Sequence, residues 1–173
     1  MIDSLENRVQ YINNAFEGTK RPVVRNIVIS EKIRATLIFL DELTDSNAIN
    51  RDLLRSLMQA ELNETDDVIK RIEEDVVPFG EVDKFDDINM ATGFILDGAA
   101  VLVAENCREM LAFSAKKWSQ RGVDEPPTSS VVRGPREGFN EDIKTNISLI
   151  RRRLKTPDLT FDIINVGKYS STK

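Results

Sequence analysis

The apolar positions of the chain follow two alternating periods. In Ser4–Phe16, Leu5, Val9, Ile12 and Phe16 recur on one helical face, with Ser4 as N-cap and Gly18 as the stop. Val23–Ile29 follows Pro22 and is β-rich, which predicts a strand near a sheet edge. Within 33–43 the run Ala35–Leu40 carries no charge, as expected of a strand covered on both faces. Asp41, Glu42 and the cluster Thr44-Asp45-Ser46-Asn47 then turn the chain. Helical spacing returns over Ala48–Gln59, with Ile49, Leu53, Leu54 and Leu57 inward. It returns again over Glu64–Asp75 (Val68, Ile69, Ile72) and Asp86–Leu96 (Ile88, Ala91, Ile95), with Pro78, Gly80 and Asp97-Gly98 as breakers. Ala99–Ala104 and Glu109–Ser114 flank Glu105-Asn106-Cys107 and predict a hairpin.

Beyond Trp118 the texture changes. Residues 121–138 hold three of the six prolines and three of the eight glycines, a composition for a crossing loop or linker. A helix is predicted over Phe139–Lys155, with Phe139, Ile143, Ile147, Ile150 and Leu154 as its apolar stripe. Asn140 and Asp142 suit its positive end; Arg151, Arg152, Arg153 and Lys155 suit its negative end. Pro157 ends it, and Leu159–Val166 is predicted to be a final strand. The fold class expected is α/β: a small mixed sheet flanked by helices over residues 1–120, and a linker over 121–138. Residues 139–173 would begin a second, incomplete α/β subdomain, and their strand would be less stable than the first sheet for want of cover.

Composition narrows the chemistry. Of 173 residues, 40% are hydrophobic and 31% charged, so the chain can build a core, with Leu, Ile and Val supplying most of it. The net charge of −5 is uneven: residues 1–125 hold 15 basic against 24 acidic side chains, residues 126–173 hold 9 against 5. Solvated faces of opposite sign are the plain explanation, and a basic docking surface the sharper one. No stretch is apolar enough for a membrane span or a signal sequence, so a soluble chain is expected as it stands. The absence of histidine removes the commonest general base and every Ser-His triad; with Cys107 the only cysteine, neither a thiolate–imidazole zinc site nor an internal disulfide is possible. The acidic groups Asp41-Glu42, Asp66-Asp67, Glu73-Glu74-Asp75 and Asp86-Asp87 read as turns and solvated helix faces, since neighbours on a helix point apart; Asp41-Glu42, at a strand end, is the better site candidate among them, with a structural turn as the favoured reading. The basic run Arg151–Lys155 lacks interleaved aromatics, which argues against nucleic acid as a partner. No enzyme activity and no cofactor are expected.

Arg133-Gly134-Pro135-Arg136-Glu137-Gly138-Phe139 stands out as the candidate binding or interface segment. Two arginines and two glycines before a helix N-terminus suit an anion, yet the spacing matches neither a P-loop nor a GxGxxG fingerprint. The alternative is a tight loop pinned by internal Arg–Glu pairs. VVRGPREGF (131–139), Thr145-Asn146, Leu149–Arg153 and Pro157-Asp158-Leu159 together resemble the signature of the GerA family of spore-germination proteins. Weaker matches extend upstream in the same order through Val23–Ile29, Leu37–Asp41, Ile49–Met58, Gly98, Trp118 and Glu125-Pro126; Glu42 stands where the family often has glycine.

The resemblance implies an A subunit of a nutrient (germinant) receptor in the spore inner membrane. Its soluble N-terminal region, two α/β subdomains, would face the cytoplasm or spore core ahead of several membrane helices, and would act in sensing or assembly. The implied partners are the receptor's B and C subunits and other A subunits, which form a homo-oligomeric ion channel; a small nutrient is a possible ligand. The membrane would be reached only through C-terminal helices that this sequence does not include. A stand-alone nutrient-binding module, with its crevice between the subdomains, is the alternative implied by the same layout.

Overall fold

A computed structural model of the chain describes residues 4–18, 21–62, 67–76, 80–116, 139–162 and 164. Helix α1 (Leu5–Asn14) opens at Ser4, whose Oγ accepts from the Asn7 N–H at 3.2 Å. Strands β1 (Val23–Ile29) and β2 (Ile33–Phe39) form an antiparallel hairpin, its turn made possible by positive φ at Ser30 and Glu31. Ser30 Oγ then bonds both the N–H and the carbonyl of Leu62 at 3.0 Å. Next come α2 (Ser46–Ala48), a π-type stretch Ile49–Leu54 and α3 (Arg55–Gln59). Helix α4 (Val68–Arg71) runs on as a second π-type stretch, Ile72–Val76. Strand β3 (Val82–Phe85), helix α5 (Ile88–Leu96), strands β4 (Ala99–Ala104) and β5 (Met110–Ser114), and helix α6 (Ile143–Arg153) complete the order.

The strands align as β1-β2-β4-β5-β3, and all four pairings are antiparallel. The α/β layering is as expected, with an antiparallel sheet in place of a mixed one. β1 occupies an edge, as its sequence suggests, and β3 occupies the other edge. Alternation along β2 and β4 divides the apolar residues between two cores. Leu37, Phe39, Ala100, Leu102 and Phe113 pack under Ile49, Leu53, Leu57, Ile69 and Ile72 on one face. Ile38, Leu40, Val101, Val103 and Ala112 pack under Leu5, Ile12 and Phe16 of the first helix segment and Ala91 and Ile95 of α5 on the other. Leu37, Phe39, Val101 and Val103 are thus all buried in one sheet, on opposite sides of it.

Helix starts follow one rule. Asp45, Asp67, Asp87 and Asp142 each precede a helix and accept from backbone N–H groups of its first turn. Gly98 marks the sharpest approach: its φ is +83°, and a Cβ there would lie 2.9 Å from the Leu43 carbonyl oxygen. Asn106, at φ +59°, supplies the positive-φ position of the β4–β5 turn.

Three sequence expectations change in the second half. Helix α6 begins at Ile143 rather than Phe139, because Asp142 caps it; Phe139 lies before the helix and is 70% exposed. Its buried face is Ile147, Ser148, Leu149 and Arg151, whereas Leu154, one residue past the helix end, is 54% exposed. Leu159–Val166 is not a strand over its described residues, Leu159–Asp162 and Ile164, since none of them pairs with either edge of the sheet. The linker 121–138 and the end of the first unit at Trp118 lie outside the described residues.

Removing Phe39 by Phe39→Ala leaves a cavity in a close-packed core, and should cost about 3–5 kcal/mol in urea unfolding. A change within error of zero would contradict the packing. Gly98→Ala forces a side chain into a left-handed backbone and against a carbonyl, and should cost about 1–3 kcal/mol. An unchanged unfolding midpoint would show that the approach to Leu43 relaxes freely.

Candidate functional site

The candidate site is the segment carrying the signature residues of the second half. Asp142 caps α6 by accepting from the Lys144 N–H at 3.2 Å and the Thr145 N–H at 3.1 Å. The Thr145 hydroxyl adds a bond to the same carboxylate at 2.6 Å. Asn146 reaches back across the cap: its Nδ2 donates to the Asn140 carbonyl at 2.6 Å, and its Oδ1 accepts from the Asn140 N–H at 2.8 Å. Asn140 Oδ1 accepts in turn from the Asp142 N–H at 2.9 Å. Thr145 and Asn146 therefore hold Asp142 and Asn140 in place at the start of α6. At the other end, Thr156 Oγ1 and Asp158 bond each other through the Asp158 N–H and carboxylate, closing the turn after the helix.

Arg151 is the largest fully buried side chain among the described residues, at 0% exposure. None of its three guanidinium nitrogens has a hydrogen-bond partner among the described residues. Its guanidinium carbon lies 5.2 Å from the centre of the Phe161 ring, a cation–π contact. Its neighbours behave differently: Arg152 is half-buried and Arg153 exposed. Lys155 pairs with Asp97 at 2.5 Å, which ties the end of this segment to the turn at Gly98.

Of the sequence-predicted site residues, Arg133, Gly134, Pro135, Arg136, Glu137 and Gly138 lie outside the described residues; Phe139 is exposed beside the Asn140–Asn146 clasp. The crevice expected between the subdomains also falls outside them. Arg151 was not singled out as a site, because a basic residue in a last helical turn reads as a partner of the helix dipole. Asn146 carried a signal, its spacing of six from Asn140.

The acidic pairs serve the scaffold. Asp41 accepts from the Ser46 hydroxyl at 2.5 Å, Asp67 and Asp87 are caps, Glu73 pairs with Lys84 at 3.6 Å, and Asp86 pairs with Arg108 at 3.1 Å. Among the described residues no group of three or more Cys, Asp or Glu side chains could hold a metal ion. No described helix is long and apolar enough to cross a membrane. Arg8 is buried and donates to the carbonyls of Cys107 and Arg108, pinning the β4–β5 turn. Burial lowers the Arg8 pKa and raises that of the Cys107 thiol; for the thiol, burial and the acidic Asp67 and Glu109 outweigh Arg8.

The profile of the Bacillus/Clostridium GerA spore germination proteins matches residues 10–173. Spore germination protein KA of Bacillus subtilis (strain 168) is 32% identical over 152 residues, covering 87% of this chain and 28% of that protein. Spore germination protein GerLA of Bacillus cereus is 34% identical over 140 residues, covering 79% of this chain and 28% of that protein. Stage V sporulation protein AF of Bacillus subtilis (strain 168) is 30% identical over 169 residues, 96% of this chain and 34% of that protein. The chain thus spans 28–34% of the length of these curated relatives. The crystal structure of the N-terminal domain of the A subunit of the Bacillus megaterium spore germinant receptor GerK3 superposes with a TM-score of 0.70 at 24% identity. It covers 96% of this chain and 61% of that one, and establishes the shared fold.

Asp142→Ala should destabilise α6 by about 1 kcal/mol through the lost cap, read as faster hydrogen exchange at Thr145–Ser148. Asn146→Ala should speed exchange at the Asn140 amide itself. Unchanged exchange in either variant would contradict the clasp. At about pH 8, iodoacetamide should modify Cys107 more slowly in the folded chain than in urea; equal rates would contradict its partial burial.

Proposed function

The chain belongs to the GerA family of spore germination proteins, and from that membership we propose that it is the N-terminal portion of a germinant-receptor A subunit. It acts in nutrient sensing and receptor assembly that trigger spore germination. In the full-length protein this region faces the spore core at the inner membrane, and works with B and C subunits and with other A subunits.

The observation that carries the assembly reading is Arg151. A buried cation without an acceptor costs on the order of several kcal/mol, and a cation–π contact offsets only part of that. Such a residue is retained when its acceptor is supplied from outside the described fold, across a subdomain or subunit boundary. Engaged and disengaged acceptors define two arrangements of α6, the kind of two-state element on which coupling depends. Residues 133–139 immediately precede the Asn140–Asn146 clasp in the sequence. On this reading Arg133, Arg136 and Glu137 lock the subdomains, and Gly134, Pro135 and Gly138 give the loop its shape. Arg133 and Arg136, two guanidinium groups close together in the sequence, also suit a carboxylate-bearing nutrient, which supports a stand-alone binding module as the second reading.

Two measurements separate the readings. The chain should capture the cognate B and C subunits in a pull-down and give no binding heat with a panel of nutrients. Nutrient heats without capture would overturn the assembly reading in favour of the binding module. Arg133→Ala and Arg136→Ala should each lower the melting temperature, with no anion-specific stabilisation of the wild type. An anion-dependent rise in wild-type melting, lost in both variants, would make the loop a ligand site.

A further inference from the structure

We infer that β1 is a self-association edge, on which two copies of this chain pair their β1 strands antiparallel about Asn26. Among the described residues the strand has a partner on one side only, and none of them pairs with the other backbone edge of its seven residues, Val23–Ile29. Its pairing with β2 is regular across all seven positions, with no bulge to twist the edge away. Edge strands are normally protected by proline, lysine or inward charges. Within β1 the only charge is Arg25, and its guanidinium is occupied by Asn50 Oδ1. Val23 and Val24 are each 38% exposed and Val28 50%, an unusual apolar display for a free edge. Helix α1 stands off from this strand, leaving an open groove of about 1000 Å³ floored by Val24, Asn26, Val28 and Thr36.

The occupant follows from the strand's own pattern. Two-fold pairing about Asn26 sets Val24 of each copy opposite Val28 of the other, on the groove side. On the opposite face Val23 meets Ile29 and Arg25 meets Ile27, so no like charges oppose each other within the strand. Just beyond each end, Arg21 reaches the Glu31 turn of the other copy. Both side chains are exposed, and neither has a partner among the described residues. One register thus satisfies the apolar pairs and two cross-chain ion pairs together, and it continues the five-stranded sheet of one copy into that of the other. Association with other A subunits is already part of the family reading; the β1 edge and its register go beyond that reading and do not depend on it.

The test uses the full 173-residue chain. Sedimentation velocity should show a reversible monomer–dimer equilibrium below about 1 mM. Arg21→Glu or Glu31→Arg should each weaken the dimer about tenfold, and the double swap should restore it. Both positions are exposed, and circular dichroism checks that each variant keeps its fold. In a Cys107→Ser background, Asn26→Cys should form a disulfide-linked dimer on mild oxidation. Directly opposed Cα atoms in an antiparallel pair lie about 4.5–5.5 Å apart, within disulfide reach. Val24→Cys should not, because it faces Val28. A chain monomeric at every concentration, equal cross-linking from both cysteine positions, or no recovery in the double swap would overturn the inference. Capture of B and C subunits by such a monomeric chain would leave the family reading intact.

Discussion

The structure is organised by a strand that has no polar side chain. Ala99–Ala104 lies at the centre of the sheet, with every residue buried. A strand apolar on both faces must be covered twice, so the chain supplies helices to each side and the core divides in two. Three of its six residues are alanine, which keeps both layers close to the sheet. Its two ends are held by different means. Before it, Gly98 passes so near the Leu43 carbonyl that only glycine fits without strain. After it, the buried Arg8 side chain grips two carbonyls of the following turn, those of Cys107 and Arg108.

An ion pair joins the second half of the chain to the entry of that strand. Lys155 holds Asp97, which lies immediately before Gly98. The signature segment is therefore tied to the point where the central strand enters the sheet. The segment also keeps its own shape: Asp142, Thr145 and Asn146 satisfy the helix start among themselves. What they leave over is Arg151, whose charge the described fold does not answer.

Elements with a clean period were legible in the sequence. The positions Ile49, Leu53, Leu54 and Leu57 are all buried, as their spacing requires, and the uncharged run Ala35–Leu40 lies buried throughout. The edge position of β1 followed from Pro22 and the β-branched residues behind it. β3 was not legible: Val82-Asp83-Lys84-Phe85 is short and buries only Phe85, and its partner β5 is distant in sequence. Antiparallel and mixed sheets could not be told apart, because pairing directions depend on how the helical connections cross. The stripe of α6 was misplaced because apolar residues continue beyond the capped helix at both ends. Its true buried face includes Ser148 and Arg151, residues that hydrophobic patterning assigns to solvent. The family was legible from the signature between Val131 and Leu159, although eight of its residues, 131–138, lie outside the described structure.

The account turns on whether Arg151 is kept at a cost to this chain. Equilibrium urea unfolding of Arg151→Met beside the wild type tests this most directly, since methionine fills much of the volume without the charge. The account predicts a variant as stable as the wild type or more stable, by up to about 4 kcal/mol, the range seen when apolar residues replace buried ion pairs. A loss of about 3–5 kcal/mol would mean that Arg151 is already paired within the chain, and would contradict the claim that its acceptor comes from elsewhere.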